Sequence, residues 1–250
     1  MTANPMRNLQ VFPNIEDLYI SVADSIVFIA NKAIREKGRF TISLSGGQTP
    51  MKLYAILAAH PYREYMQWEK TFVFWGDERC VPLNDARNNA YQAKSILLDK
   101  VDIPPSNIYV IPVDLSPQEA ADKYEKELRD FFGDAPPQFD MMLLGLGENG
   151  HTASLFPGTK VLKEKAKGIR KVYVKTERIF RVTMTAPLIN LAHHIFFIVT
   201  GENKSKVLQK VLSTSSQPEK YPAQLIKPKN GELCWFADIA AARNAVLKNP

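Results

Sequence analysis

The sequence predicts an α/β protein, a single domain over residues 1–250 with a mostly parallel, Rossmann-like sheet flanked by helices on both faces. Three observations predict it. Short β-rich runs alternate with segments of helical periodicity along the whole chain, the order expected of βαβ units. Phe139–Leu144 and His194–Thr200 read as apolar strands of the kind buried on both faces. Three unusual segments, Ser45–Pro50, Gly76–Arg79 and Gly145–Gly158, each follow a strand, and open α/β sheets bind ligands beyond the carboxyl ends of their strands.

The elements follow in order. Ile15, Leu18, Tyr19, Val22, Ile26, Ile29, Ala30 and Ala33 recur at helical spacing, so a long amphipathic helix runs from an Asn14 N-cap to about Gly38. A strand at Phe40–Ser45 leads through Gly46-Gly47 to a helix capped by Thr49, with Pro50 in its first turn and an end near Ala59. Phe72–Trp75 is a strand, Gly76–Arg79 a charged turn, Asn89–Leu98 a helix, Ile108–Ile111 a strand and Pro117–Phe132 a helix. Past the glycine-rich loop, Lys171–Val174 and Arg181–Thr185 read as strands. Lys204–Leu212 reads as a helix, Glu232–Ala237 as the last strand and Ile239–Leu247 as the last helix. The segment 157–171 is a candidate surface excursion.

Composition narrows the function classes. Hydrophobic residues make up 45% of the chain and charged residues 23%, enough apolar content to exclude general disorder. The longest apolar runs fall far short of the ~18 residues that cross a membrane, and Pro5, Arg7, Asn8 and Gln10 stand where a signal peptide needs apolar residues. Cys80 and Cys234 form no CxxC pattern, so neither a disulfide framework nor a zinc ribbon is expected. These readings point to a soluble protein of a reducing, cytoplasmic compartment. The net charge of +6 suits an anionic small molecule or nucleic acid. The basic run Lys160, Lys163, Lys165, Lys167, Arg170 and Lys171 has no interleaved aromatic residues, which disfavours nucleic acid and leaves a solvated loop.

Ser45-Gly46-Gly47-Gln48-Thr49-Pro50 is a strand–loop–helix junction. Its glycines let a ligand approach the backbone, Ser45 and Thr49 add hydroxyls, and the helix N-terminus favours phosphate. A tight turn with an ordinary cap explains the same residues. Gly145-Leu146-Gly147-Glu148-Asn149-Gly150 fits G-x-G-x-x-G, but Pro157 interrupts the segment after it and no ribose-binding acid follows at the expected distance. A dinucleotide site is therefore not expected. Of the four histidines, only His151 lies in this loop at the ligand end, where a near-neutral imidazole can act as acid or base. His60 sits beside Pro61 at a helix end, and His193 and His194 diverge in extended chain, so no metal-ligand spacing is present. In Asp77-Glu78-Arg79, Arg79 could stabilise an oxyanion and Asp77 could hold a proton or a histidine. The alternative is a solvated turn. A Ser45, His151, Asp77 triad is disfavoured because Ser45 lacks the G-x-S-x-G elbow.

Phe40–Pro50, Trp75–Arg79 with Asp85–Asn89, and Gly145–Gly158 together resemble, in order and spacing, the signatures of the 6-phosphogluconolactonases, within the glucosamine-6-phosphate isomerase/deaminase superfamily. The third segment is the most specific. The resemblance implies hydrolysis of 6-phosphoglucono-δ-lactone to 6-phosphogluconate, with no metal or organic cofactor, a small sugar phosphate as the only partner, and a monomer or homodimer. It implies that His151 is the general base, that Arg79 and Asp77 belong to the active site, and that Arg181 and Lys204 face the sugar phosphate beside Ser45, Gly46, Gly47, Thr49 and Gly150. Asn149 departs from the pattern, standing where the family commonly has Asp before Gly-His. An amide keeps a turn hydrogen bond but lends His151 no negative charge, and no catalytic role is expected there.

Two other readings differ in residues. A glucosamine-6-phosphate deaminase typically has Tyr where Arg79 stands, and an Ala-Phe-Asn-Glu-Pro-like run where this chain has Ser154-Leu155-Phe156-Pro157. A non-catalytic sugar-phosphate sensor usually carries a helix-turn-helix segment, for which residues 1–13 are too short.

Overall fold

The computed structural model describes residues 8–246. In chain order the elements are β1 (Leu9–Phe12), α1 (Ile15–Lys37), β2 (Phe40–Leu44), α2 (Gln48–Leu57), α3 (Tyr62–Tyr65), β3 (Thr71–Trp75) and β4 (Asp77–Arg79). Next come α4 (Asn89–Ile96), α5 (Pro117–Phe132), β5 (Met141–Leu144), β6 (Ile169–Val174), β7 (Ile179–Met184) and α6 (Ala186–Ile189). The chain closes with β8 (His194–Val199), α7 (Ser205–Val211), β9 (Glu232–Asp238) and α8 (Ile239–Val246).

Six strands form one sheet in the order β1-β9-β8-β5-β2-β3, and every neighbouring pair in it is parallel. Residues 40–44, 141–144 and 195–199 are buried throughout, and successive side chains point to opposite faces, so both faces are covered. The chain leaves β2 toward β3 on one side and returns to β5 on the other. The strand order thus reverses beside β2, the place where open α/β sheets open a crevice.

Helix boundaries follow their caps. The Asn14 side chain accepts from the Glu16 N–H, and Gly38 ends α1 in the left-handed region at φ 77°. Ser116 and Glu119 form a reciprocal capping box at the start of α5. Two helical tyrosines tie strand ends down. The Tyr54 hydroxyl on α2 donates to the Ser45 carbonyl at 2.7 Å and accepts from its N–H at 3.0 Å. Tyr124 on α5 does the same to Trp75 at 3.1 and 3.0 Å. The chain therefore leaves β2 and β3 in fixed directions, just where the binding loops begin.

Several expectations change. Gly76–Arg79 is no free turn: Asp77–Arg79 is β4, which pairs antiparallel with β7 in a separate three-stranded sheet, β4-β7-β6. The runs Lys171–Val174 and Arg181–Thr185 belong to that small sheet and not to the parallel one, the second ending at Met184 because Thr185 precedes α6. Ile108–Ile111 makes only one bridge, Val73 to Ile108, because Pro104, Pro105 and Pro112 flank it and deny a longer ladder. Helix α2 begins at Gln48 after Gly47, not at a Thr49 cap, and the Thr49 hydroxyl instead meets that of Thr200 at 3.0 Å. The 157–171 segment is less of a loop than expected. Lys160–Lys163 is a 3-10 turn with Val161 buried, and Arg170 pairs with Glu125 at 3.2 Å and Glu164 at 3.1 Å. Lys204 closes a 3-10 turn before α7, and Leu247, the expected end of the last helix, lies outside the described residues. No described helix is long and apolar enough to cross a membrane.

Candidate active site

The carboxyl ends of β2, β3, β5 and β8 surround a cavity of about 470 Å³. Nine of the ten residues singled out from the sequence line it: Ser45, Gly46, Gly47, Thr49, Asp77, Arg79, His151, Arg181 and Lys204. Gly150 is outside the lining. It turns the loop at φ 81°, and a Cβ there would come within 3.0 Å of the Tyr221 backbone, so the position serves packing. Asn89, Gly147, Thr152, Ala153 and Asn203 also line the cavity and were not singled out.

One end of the cavity is the start of α2, whose first N–H groups carry partial positive charge. Lys204 faces the same space, held there by a turn whose Gly201 N–H donates to the Asp238 carboxylate at 2.9 Å. Partial burial holds the Lys204 amine below its ordinary pKa.

His151 lines the same cavity. Its ring stacks on Phe156, with centroids 4.0 Å apart, and a Cβ on Gly147 would lie 2.0 Å from Nδ1. That glycine is the space into which the imidazole packs, which gives the second glycine of the pattern a packing role. Asn149 Oδ1 accepts from the His151 backbone N–H at 3.1 Å and meets Nδ1 at 2.6 Å. A carbonyl oxygen only accepts, so the contact assigns the proton to Nδ1 and the lone pair to Nε2. Asn149 keeps the turn hydrogen bond expected of an amide, and its contact with Nδ1 in addition sets the histidine's tautomer. Burial, together with nearby Arg181, pushes the His151 pKa down to about 4, so the imidazole is neutral at pH 7.

The small sheet supplies another part of the lining. Asp77 Oδ2 accepts from Ser154 Oγ at 2.5 Å and lies 3.5 Å from Arg181 Nη1. Arg181 Nη2 lies 2.5 Å from Glu177, and the guanidinium covers the Phe156 ring at 5.0 Å. Asp77 and His151 share no hydrogen bond, and Asp77 is spoken for by Ser154, so these residues do not assemble a serine triad. Beside Asp77, Glu78 is buried and accepts three backbone N–H bonds, from Arg79, Asn89 and Ala90. Burial still pushes its pKa up to about 7. No group of three or more His, Cys, Asp or Glu among the described residues is placed to hold a metal ion.

A family model described as glucosamine-6-phosphate isomerases/6-phosphogluconolactonase matches residues 13–235. A 6-phosphogluconolactonase of Nostoc sp. is 40% identical over 239 residues, 94% of this chain and 97% of the relative. One from Synechocystis sp. is 44% identical over 218 residues, 85% and 88% of the two chains. The solved 6-phosphogluconolactonase of Trypanosoma cruzi superposes with a TM-score of 0.86 at 27% identity, over 98% of each chain. Fold, loop positions and sequence thus agree along nearly the whole length, and the chain belongs to the glucosamine-6-phosphate isomerase/6-phosphogluconolactonase family.

Proposed function

We propose that this protein is a 6-phosphogluconolactonase, hydrolysing 6-phospho-D-glucono-1,5-lactone to 6-phospho-D-gluconate. The observation that carries the reading is that one cavity at the strand ends is lined together by a helix N-terminus, Lys204 and a neutral histidine. The phosphate sits on the Gly46–Thr49 backbone and Lys204, which sets the lactone carbonyl before His151. His151 Nε2 takes a proton from water as the oxygen bonds to the carbonyl carbon. The carbonyl electrons become an oxyanion that Arg79 steadies. Collapse of that intermediate breaks the bond to the ring oxygen, and the imidazolium returns the proton to the departing oxygen. Asp77 and Arg181 hold the wall that carries Arg79. Residues 1–250 act as one domain, as a cytoplasmic monomer or homodimer, and the chemistry needs no metal.

The test is an assay on enzymatically generated 6-phosphogluconolactone beside unphosphorylated gluconolactone and glucosamine 6-phosphate. Fast turnover of the first alone supports the reading, and turnover of glucosamine 6-phosphate in its place sinks it.

Two variants probe the cavity. Loss of a charged hydrogen bond to phosphate costs about 1.5–3 kcal/mol, so Lys204→Ala should lower kcat/KM roughly 10- to 100-fold on the phosphorylated lactone. It should also narrow the preference over gluconolactone, and an unchanged preference counts against phosphate binding there. Asn149→Asp places a carboxylate on Nδ1, favouring imidazolium. Arg181 and Lys204 push the His151 pKa down from around the ring, and Asp77 and Glu177 push it up. With the His151 pKa held down to about 4, the wild-type acid limb of kcat/KM is expected near that pH, and the added charge should move it upward by about 1–3 units. A limb that stays in place would show that Asn149 does not act on the base.

A further inference from the structure

We propose that Asn89 is a positioning residue that fixes the Arg79 guanidinium against the first glycine of the phosphate-binding loop. The proposal rests on the reading of Arg79 as the group that steadies the oxyanion.

Asn89 opens α4 and is 2% exposed, yet it lines the cavity. Its two amide atoms do opposite work. Oδ1 accepts from Arg79 Nη1 at 2.6 Å, and Nδ2 donates to the Asp77 carbonyl at 2.9 Å. A guanidinium only donates and a carbonyl only accepts, so the amide has one orientation that satisfies both. Arg79 Nη1 also donates to the Arg87 carbonyl at 2.9 Å, leaving the rest of the guanidinium uncommitted. The backbones of Arg79 and Asn89 hang from one atom, Glu78 Oε1, which accepts from both N–H groups at 2.8 Å. The two residues are therefore held in register by main chain as well as side chain.

The third contact is with the phosphate loop. A Cβ on Gly46 would fall 1.8 Å from Asn89 Oδ1. Gly46 is thus the space that the amide occupies, and the atom that holds Arg79 is the atom that touches the loop. Movement of the phosphate end and of the guanidinium is coupled through one oxygen. No other residue type supplies an acceptor, a donor and this volume at once: Asp turns an oxygen on the Asp77 carbonyl, and Ala leaves buried groups unpaired.

The experiment is a double-mutant cycle on the full chain with 6-phosphogluconolactone, spontaneous hydrolysis subtracted. Asn89→Ala should lower kcat about 10- to 100-fold with KM little changed, the loss expected when a charged hydrogen bond serves the transition state. In an Arg79→Ala background it should cost nothing further. Equal losses in both backgrounds, or a loss confined to KM, overturn the proposal while leaving Arg79 in its role. Wild-type kcat in Arg79→Ala overturns the reading of Arg79 and the proposal with it. If Asn89→Ala folds poorly, Asn89→Asp and Asn89→Leu decide the matter. Both lose the bond to Asp77 and only Asp keeps an acceptor for Arg79, so Asp should retain at least tenfold more kcat. Equal rates overturn the proposal.

Discussion

Replacing His151 with alanine is expected to lower kcat about 10²–10⁴-fold, the contribution of one well-placed general base. The lactone carbonyl is electrophilic without a covalent nucleophile, so what the site must add is a water and something to take its proton. Neutral imidazole with Nε2 free does this at pH 7. The variant should fold and still bind 6-phosphogluconate, and its kcat/KM profile should lose the acid limb. Wild-type turnover in a folded, product-binding His151→Ala protein would move the base elsewhere, with Asp77 next to be tested. Stability gives an independent readout. The histidine pKa is lower in the folded chain, about 4 against the ordinary 6.5, so the unfolded chain binds the proton first. Stability from this site is present above pH 6.5 and is lost as pH falls through 4. His151→Ala removes that loss and should flatten acid unfolding across the same window.

Arg181→Ala is expected to destabilise the fold by about 3–5 kcal/mol, because it strands a buried carboxylate. Arg181 and Asp77 have side chains only 5% and 7% exposed. With the guanidinium gone, Asp77 keeps only the Ser154 hydroxyl, and Glu177 loses its partner at 2.5 Å. The midpoint of thermal unfolding should fall roughly 6–20 °C for a chain of this length. A fall under 2 °C would show that the pair carries no structural weight. Because both edges of the guanidinium are engaged, Arg181→Ala should change the preference for phosphorylated lactone less than Lys204→Ala does.

The parts of the fold legible in the sequence are those decided locally. Asn14 and Gly38 bound α1 because a cap and a left-handed glycine act within one turn. The buried strands β2, β5 and β8 announce themselves because both faces need apolar side chains. β4 does not: its three residues are charged or acidic, and what makes them a strand is β7, about a hundred residues later. β1 escapes notice for the same reason, since Leu9–Phe12 is short and its partner is β9. In the site, the loop histidine and the glycines stand out because few other roles suit them there. Asn149 stands out only as a departure from the family pattern and Asn89 not at all, because an asparagine at a turn or a helix start reads as an ordinary cap until the ring or guanidinium it holds is in place.

The pairing of β1 with β9 also bears on how the chain is made. β9 lies between β8 and β1, and among the described residues Leu9–Phe12 has no other strand neighbour. A ribosome adding about 5–20 residues per second emits the last strand roughly 10–45 s after the first. Throughout that interval β1 waits without a ladder, and in its last part, once His194–Val199 has been made, the edge of β8 stands open, a hydrogen-bonding template for any other extended chain. Local pairs such as β2 with β3 can close early, so the nascent protein has one finished flank and one unfinished flank. Arrest of synthesis before Glu232 would release a chain missing one strand and orphaning another, with an open edge suited to aggregation or to capture by chaperones.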